Sequence, residues 1–194
     1  SPNMEIADLC LNYSVSGEND VLDSIATNRY GVAAVPAARK AWTAFSKAFE
    51  AYPYSGGTLY TAPQQYGPAN LLYEKATGYK ATMVGFPYDD LKSWRAIYPD
   101  SIFIRQFNLV AEGWLKGLEY FRQVKNISDS LHRQTVLSDE RIAVAAYLHF
   151  ASVVNQARFV MYRDSLANKK LTPGIRKSLK KNIRGILRNE IALA

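Results

Sequence analysis

Asp89 and Asp90 are adjacent carboxylates in the stretch from Thr61 to Pro99, TAPQQYGPANLLYEKATGYKATMVGFPYDDLKSWRAIYP, which also holds Gln64, Gln65, Asn70, Trp94 and Arg95. Side-chain amides, carboxylates, a guanidinium and an indole are the groups that hydrogen-bond to and stack on a sugar or other polyol, so these residues are the candidate substrate-binding set. Two carboxyl groups that cleave a glycosidic bond stand roughly 5 to 9 Å apart across the sugar. Sequence neighbours rarely reach that geometry. Pro87 followed by Asp89 or Asp90 is equally what the N-cap of a short helix looks like, and no residue is assigned a catalytic role. Tyr60, Tyr66, Tyr73, Tyr79, Tyr88 and Tyr98 are read either as stacking faces for sugar rings or as core and lid. Arg95 and Arg29 either clamp a carboxylate bidentately or pair with a nearby Asp.

A second polar cluster is spaced for one helix side: His149, Ser152, Asn155 and Gln156 fall three and four apart in an otherwise apolar run. Buried polar groups must find partners, so these residues either satisfy the backbone of the 61–99 stretch or line a pocket. His149 has no nucleophile with a recognisable signature and no HxxxH or HExxH pattern, and the glycines of YSGGTLY lack phosphate-loop spacing. No metal and no cofactor is expected. Cys10 is the single cysteine, which excludes an internal disulfide.

Amphipathic helical pattern flanks the stretch on both sides. Asp20 to Tyr30 reads as a short helix capped by Asn19 or Asp20, with Val21, Leu22, Ile25 and Ala26 on one side and Gly31 as its stop. Val35 to Tyr52 reads as a second helix, with Pro36 in its first turn and Ala38, Trp42, Phe45 and Phe49 as a buried stripe. Asp89 to Ile97 is a candidate short helix. From Pro99-Asp100 onward, Phe103, Phe107, Val110, Trp114, Leu118 and Phe121 form a core seam, with Gly113 and Gly117 marking a close crossing and Trp114 buried against the next helix. Ser128 to Gln134 reads as a polar connection, followed by a long helix from Ser138 to about Asn168 that is apolar on nearly every side. Thr172-Pro173 opens the last helix, Ile175 to Ala194.

At 194 residues, 48% hydrophobic and 21% charged, the chain reads as a single globular domain over 1–194. The fold class is all-α: a five- to six-helix bundle with one long ordered, aromatic-rich loop insertion over 57–99. Residues 1–17, ending in a turn-rich segment, read as a joint to a preceding domain. No apolar run reaches the roughly 18 to 20 residues of a membrane helix, so no membrane partner is expected. From Arg158 onward ten Lys or Arg face two acids, Asp164 and Glu190, and since the whole chain carries +7, the first 157 residues carry +7 − (10 − 2) = −1. The basic character belongs to the tail, read as a solvated face with no specific nucleic-acid partner.

Arg29-Tyr30-Gly31, Ala41-Trp42 and Tyr52-Pro53, then GPAN at 67–70, GFPYDDL at 85–91 and Trp94-Arg95, form a succession that resembles the helical region following the catalytic barrel in large bacterial glycoside-hydrolase-like proteins. The portion from Arg29 to Trp42 is similar to the helical C-terminal part of α-N-acetylglucosaminidases. The resemblance touches residues 29–168. It implies a C-terminal helical domain of a carbohydrate-active enzyme that supports or borders a sugar site, partnered by the preceding catalytic domain and a carbohydrate ligand. The catalytic carboxylates of such proteins lie on the barrel, so none is carried over. The competing expectation is a stand-alone binding or scaffolding domain that uses its basic last helix as a partner surface. The compartment, cytoplasmic or else secreted or periplasmic, depends on the region ahead of Ser1. The 194-residue chain alone is expected to be hydrolytically inert; release of sugar from aryl glycosides or oligosaccharides by the purified chain would refute the accessory assignment.

Overall fold

The computed structural model describes residues 2–12 and 17–194. Among these residues the chain is all-helical, with α1 (Pro2–Asn12), α2 (Glu18–Tyr30), α3 (Val35–Phe49), α4 (Gly56–Tyr60), α5 (Leu91–Arg95), α6 (Asp100–Ile127), α7 (Arg133–Leu166) and α8 (Pro173–Leu193). Eight helices are therefore described where the sequence predicts five or six; the candidate short helix at Asp89 to Ile97 is the five-residue α5, and α1 and the five-residue α4 are the additions. The turn-rich joint expected before α2 lies partly outside the described residues. No described helix is long and apolar enough to cross a membrane.

The chain forms two compact units, Ser1–Phe49 with Glu112–Ala145, and Glu50–Ala111 with Ala146–Ala194. In the first, Ala26 and Tyr30 of α2, Ala37, Ala38 and Ala41 of α3, Phe121 and Val124 of α6 and Val136 of α7 make one buried cluster. Small residues dominate the α3 contribution because α6 approaches closely. A Cβ on Gly113 would lie 2.7 Å from the Cβ of Ala48 and 3.2 Å from its Cα, and a Cβ on Gly117 would fall on the Phe45 ring. The buried face of α3 is therefore the alanine face; Trp42 and Phe45 pack at its flank and Phe49 is exposed. Helix α3 ends at Phe49 rather than Tyr52, because Pro53 has no N–H for the carbonyl four residues back. Trp114 is half-buried, stacked 4.7 Å from Phe45, and donates its indole N–H to the Ala143 carbonyl of α7 at 2.9 Å.

Polar pairs complete this unit. Arg29 and the Tyr30 hydroxyl both donate to Asp139, at 2.6 and 2.7 Å, and Arg29 also reaches Glu5 of α1. Burial, reinforced by the bond to Asp139, holds the Tyr30 phenol well above its ordinary range. Gly31, at φ 86, stops α2 as expected, whereas Gly17, not Asn19 or Asp20, occupies the N-cap. Helix α7 begins at Arg133 instead of Ser138 because the Asp129 carboxylate accepts from the His132 backbone N–H at 3.2 Å and starts the helix early.

In the second unit, α6 contributes Phe103, Phe107 and Val110, all fully buried, and α7 is enclosed along residues 152–157, every one of them buried. Burial of α7 on nearly every side is confined to this half: in the first unit Val136 and Ala143 are buried, but Ile142 and Val144 are exposed. Thr172 caps α8, its side chain accepting from the Ile175 N–H.

The α3–α6 crossing sets helix propensity against packing. Gly113→Ala gains roughly 1 kcal/mol of intrinsic helix preference. The clash with Ala48 should nevertheless make it a net destabilisation of about 1 to 3 kcal/mol in chemical denaturation. A G113A variant more stable than the parent would show that the helices do not meet there.

Candidate functional site

The segment between α3 and α6 has short helices and tight turns but no long regular element, so its backbone groups need partners from side chains. The residues singled out from sequence supply them. The Asp90 carboxylate caps α5, accepting from the Ser93 N–H at 3.3 Å and the Ser93 hydroxyl at 2.6 Å, and it also accepts from the Ala81 N–H at 3.1 Å. Asp89 accepts from the Thr77 N–H at 3.1 Å, from the Thr77 hydroxyl and from Arg163 at 2.6 Å, while Arg163 also donates to the Tyr73 carbonyl at 3.0 Å. Burial opposes ionisation of Asp89, but the two Thr77 bonds and the Arg163 charge outweigh it and hold the carboxyl below its ordinary value.

Trp94 is 1% exposed and its indole N–H donates to the Pro87 carbonyl at 2.8 Å. Arg95 pairs with Asp100 at 2.6 Å and donates to the Tyr98 carbonyl at 2.8 Å. The Gln64 amide donates to the Tyr52 hydroxyl at 2.6 Å and the Thr58 carbonyl at 3.1 Å, and the exposed Gln65 donates to the Leu59 carbonyl at 3.2 Å. Asn70 is buried; its amide donates to the Tyr88 carbonyl at 3.0 Å and to Oε1 of Gln156 at 2.6 Å.

Gln156 joins this segment to the polar side of α7. Its amide donates to the Gly67 carbonyl at 2.8 Å and to the Ser152 hydroxyl at 2.7 Å. Ser152 in turn donates to Glu190 of α8, which also accepts from Asn155 at 2.8 Å. Of the two roles the spacing leaves open for this cluster, Gln156 therefore takes the first, satisfying backbone of the stretch. His149 stands apart. Gly67, at φ 53, packs so closely on its ring that a Cβ would overlap it, Nδ1 is buried with no hydrogen-bond partner, and burial pushes the imidazole below its ordinary value.

Five aromatic residues of the segment, Tyr66, Tyr73, Tyr79, Phe86 and Tyr88, form a cluster that reaches the surface. Tyr66 and Phe86 lie 5.2 Å apart between ring centroids, Phe86 and Tyr88 6.1 Å, Tyr79 and Tyr88 5.1 Å, and Tyr73 and Tyr88 6.4 Å. Tyr79 is 64% and Phe86 56% exposed, and Met83 and Val84 extend the exposed apolar area. Tyr88, which touches three of these rings, has φ 49, a conformation that non-glycine residues adopt at a cost.

Sequence spacing found the polar residues, yet it missed Arg163 and Glu190, their partners from α7 and α8. The signals were a single acid in the basic last helix and an arginine one residue before Asp164, neither of which indicates a contact tens of residues away. Arg29, the other candidate clamp, holds Asp139 and Glu5. Among the described residues, no group of three or more His, Cys, Asp or Glu side chains is arranged to hold a metal ion. No protein-family model, no curated protein and no solved structure matches the chain.

The depressed Asp89 value fixes a sign. In the unfolded chain the carboxyl takes up its proton near 3.8, before the folded chain does, so its contribution is present above that pH and is lost as the pH falls through the lower folded value. Asp89→Asn should cost about 1 to 3 kcal/mol at pH 7. Denaturant titrations of both proteins at decreasing pH should show that gap closing below 3.8; a gap independent of pH would mean that the Asp89 charge does not contribute.

Proposed function

We propose that the chain is a helical accessory domain of a carbohydrate-active enzyme, bordering the sugar site through the aromatic surface of residues 66–88 and carrying no catalytic carboxylates itself. The observation that carries this is the ring cluster around the half-buried Tyr88, in which Tyr79 and Phe86 are exposed. Apolar area of this kind left in water marks a contact surface, and rings with hydroxyl tips suit the apolar faces and hydroxyl edges of a pyranose. The positive φ of Tyr88 supports the same reading, because strained residues concentrate where function requires a particular side-chain position.

In this proposal the architecture is a bundle of five or six helices with residues 57–99 as one ordered insertion, preceded in the full-length protein by the catalytic domain. Gln64, Asn70, Asp89, Asp90, Trp94 and Arg95 border the site from beneath, Asn70 holding the Tyr88 carbonyl, and Gln65, the exposed amide, reaches a ligand by giving up its bond to the Leu59 carbonyl. The succession of GPAN, GFPYDDL and Trp94-Arg95 adds the resemblance to glycoside-hydrolase-like helical regions as further support.

Calorimetric titration of the chain with neutral cello- and chito-oligosaccharides tests the proposal. Tyr79→Ala and Phe86→Ala should each weaken binding at least tenfold, about 1.4 kcal/mol. Their melting temperatures should stay within a few degrees of the parent, because both rings are largely exposed. Unchanged affinity in both variants, or no oligosaccharide binding by the parent, would overturn it.

A further inference from the structure

Helix α8 carries Arg176, Lys177, Lys180, Lys181, Arg184 and Arg188 against a single acid, Glu190. That acid is buried and bonded to Ser152 and Asn155, so it does not neutralise the outer face. Arg176 closes the end of α7 by donating to the Leu166 and Asn168 carbonyls, at 3.2 Å each. Lys177, Lys180, Lys181, Arg184 and Arg188 are exposed, and no ion pair among the described residues involves them.

Spacing turns these charges into a stripe. Lys177, Lys181, Arg184 and Arg188 stand at i, i+4, i+7 and i+11, which returns to nearly the same side of the helix and spans about 16 Å at 1.5 Å per residue. Like charges three and four apart repel, so the stripe destabilises its own helix unless an anion lies along it. A row of single charges of this length matches a polymer bearing regularly repeated anions better than one compact ligand.

From this geometry we infer that the α8 stripe binds an anionic polysaccharide, a chain of carboxylated or sulfated sugars. The inference rests on the proposed sugar-contacting role and deepens it by assigning the sign of the ligand's charge. Helix α8 belongs to the same unit as the proposed aromatic sugar surface, Glu50–Ala111 with Ala146–Ala194, which favours a glycan over a nucleic acid.

The test measures binding of the whole chain to polygalacturonate, to a neutral glucan of similar length, and to single-stranded and duplex DNA oligonucleotides, all at the same salt. Polygalacturonate should bind at least tenfold more tightly than the neutral glucan at about 0.05 M salt, with the preference shrinking as ionic strength rises to roughly 0.3 M. The K177Q/K181Q/R184Q variant should lose that preference while keeping its helical circular dichroism and its affinity for the neutral glucan. A preference retained in the variant overturns the inference, as does tighter binding of either DNA than of polygalacturonate. Equal binding of acidic and neutral glycans overturns it too, but leaves the aromatic sugar surface standing; binding to neither glycan removes both.

Discussion

The Gln156 amide is the constraint on which the second unit depends. One side chain donates to the Gly67 carbonyl and to Ser152 and accepts from Asn70, linking the turn-rich segment, α7 and, through Ser152, the Glu190 carboxylate of α8. A buried primary amide left without partners costs about 1 to 3 kcal/mol, so every member of such a network restricts the positions of the others. The segment that contains Gly67 and Asn70 has little regular secondary structure, and besides its internal bonds it takes polar partners from α7, Gln156 for Gly67 and Asn70 and Arg163 for Asp89 and the Tyr73 carbonyl.

Around that anchor the polar and aromatic residues of the segment divide their work. Asp89, Asp90 and Trp94 turn inward and satisfy backbone groups at Thr77, Ala81, Ser93 and Pro87. With those groups satisfied, Tyr79 and Phe86 can remain at the surface beside Tyr88 without the segment losing its shape. Capping and ligand contact draw on the same residue types, and the deciding factor is whether an unpaired N–H or carbonyl lies nearer than a ligand does. For Asp90, the Ser93 N–H is only three residues away.

The first unit follows a different rule, close approach of helix backbones. Gly113 of α6 meets Ala48 of α3 and Gly117 meets the Phe45 ring, where a larger side chain on α6 would collide, and Trp42 and Trp114 fill the flanks. An apolar stripe judged by residue size places Phe49 inside; an interface judged by distance of approach places Ala48 there, because Gly113 leaves no room for more.

Local chemistry was legible in the sequence by itself: the all-helical class, the stop of α2 at Gly31, the Thr172-Pro173 start of α8, the core seam of α6, and a segment from Thr61 to Pro99 too apolar to be a linker. These depend on interactions within a few residues, where turn geometry, proline and periodicity act directly. Tertiary structure alone decided the pairing of Asp89 with Arg163, of Ser152 and Asn155 with Glu190, and of Asn70 with Gln156, separated by 74, 38, 35 and 86 residues. It also decided which aromatic rings stayed in water. Such contacts carry no local signature, because a buried polar group requires some partner but does not specify which one, and the choice falls to whichever helix the fold brings within about 3 Å.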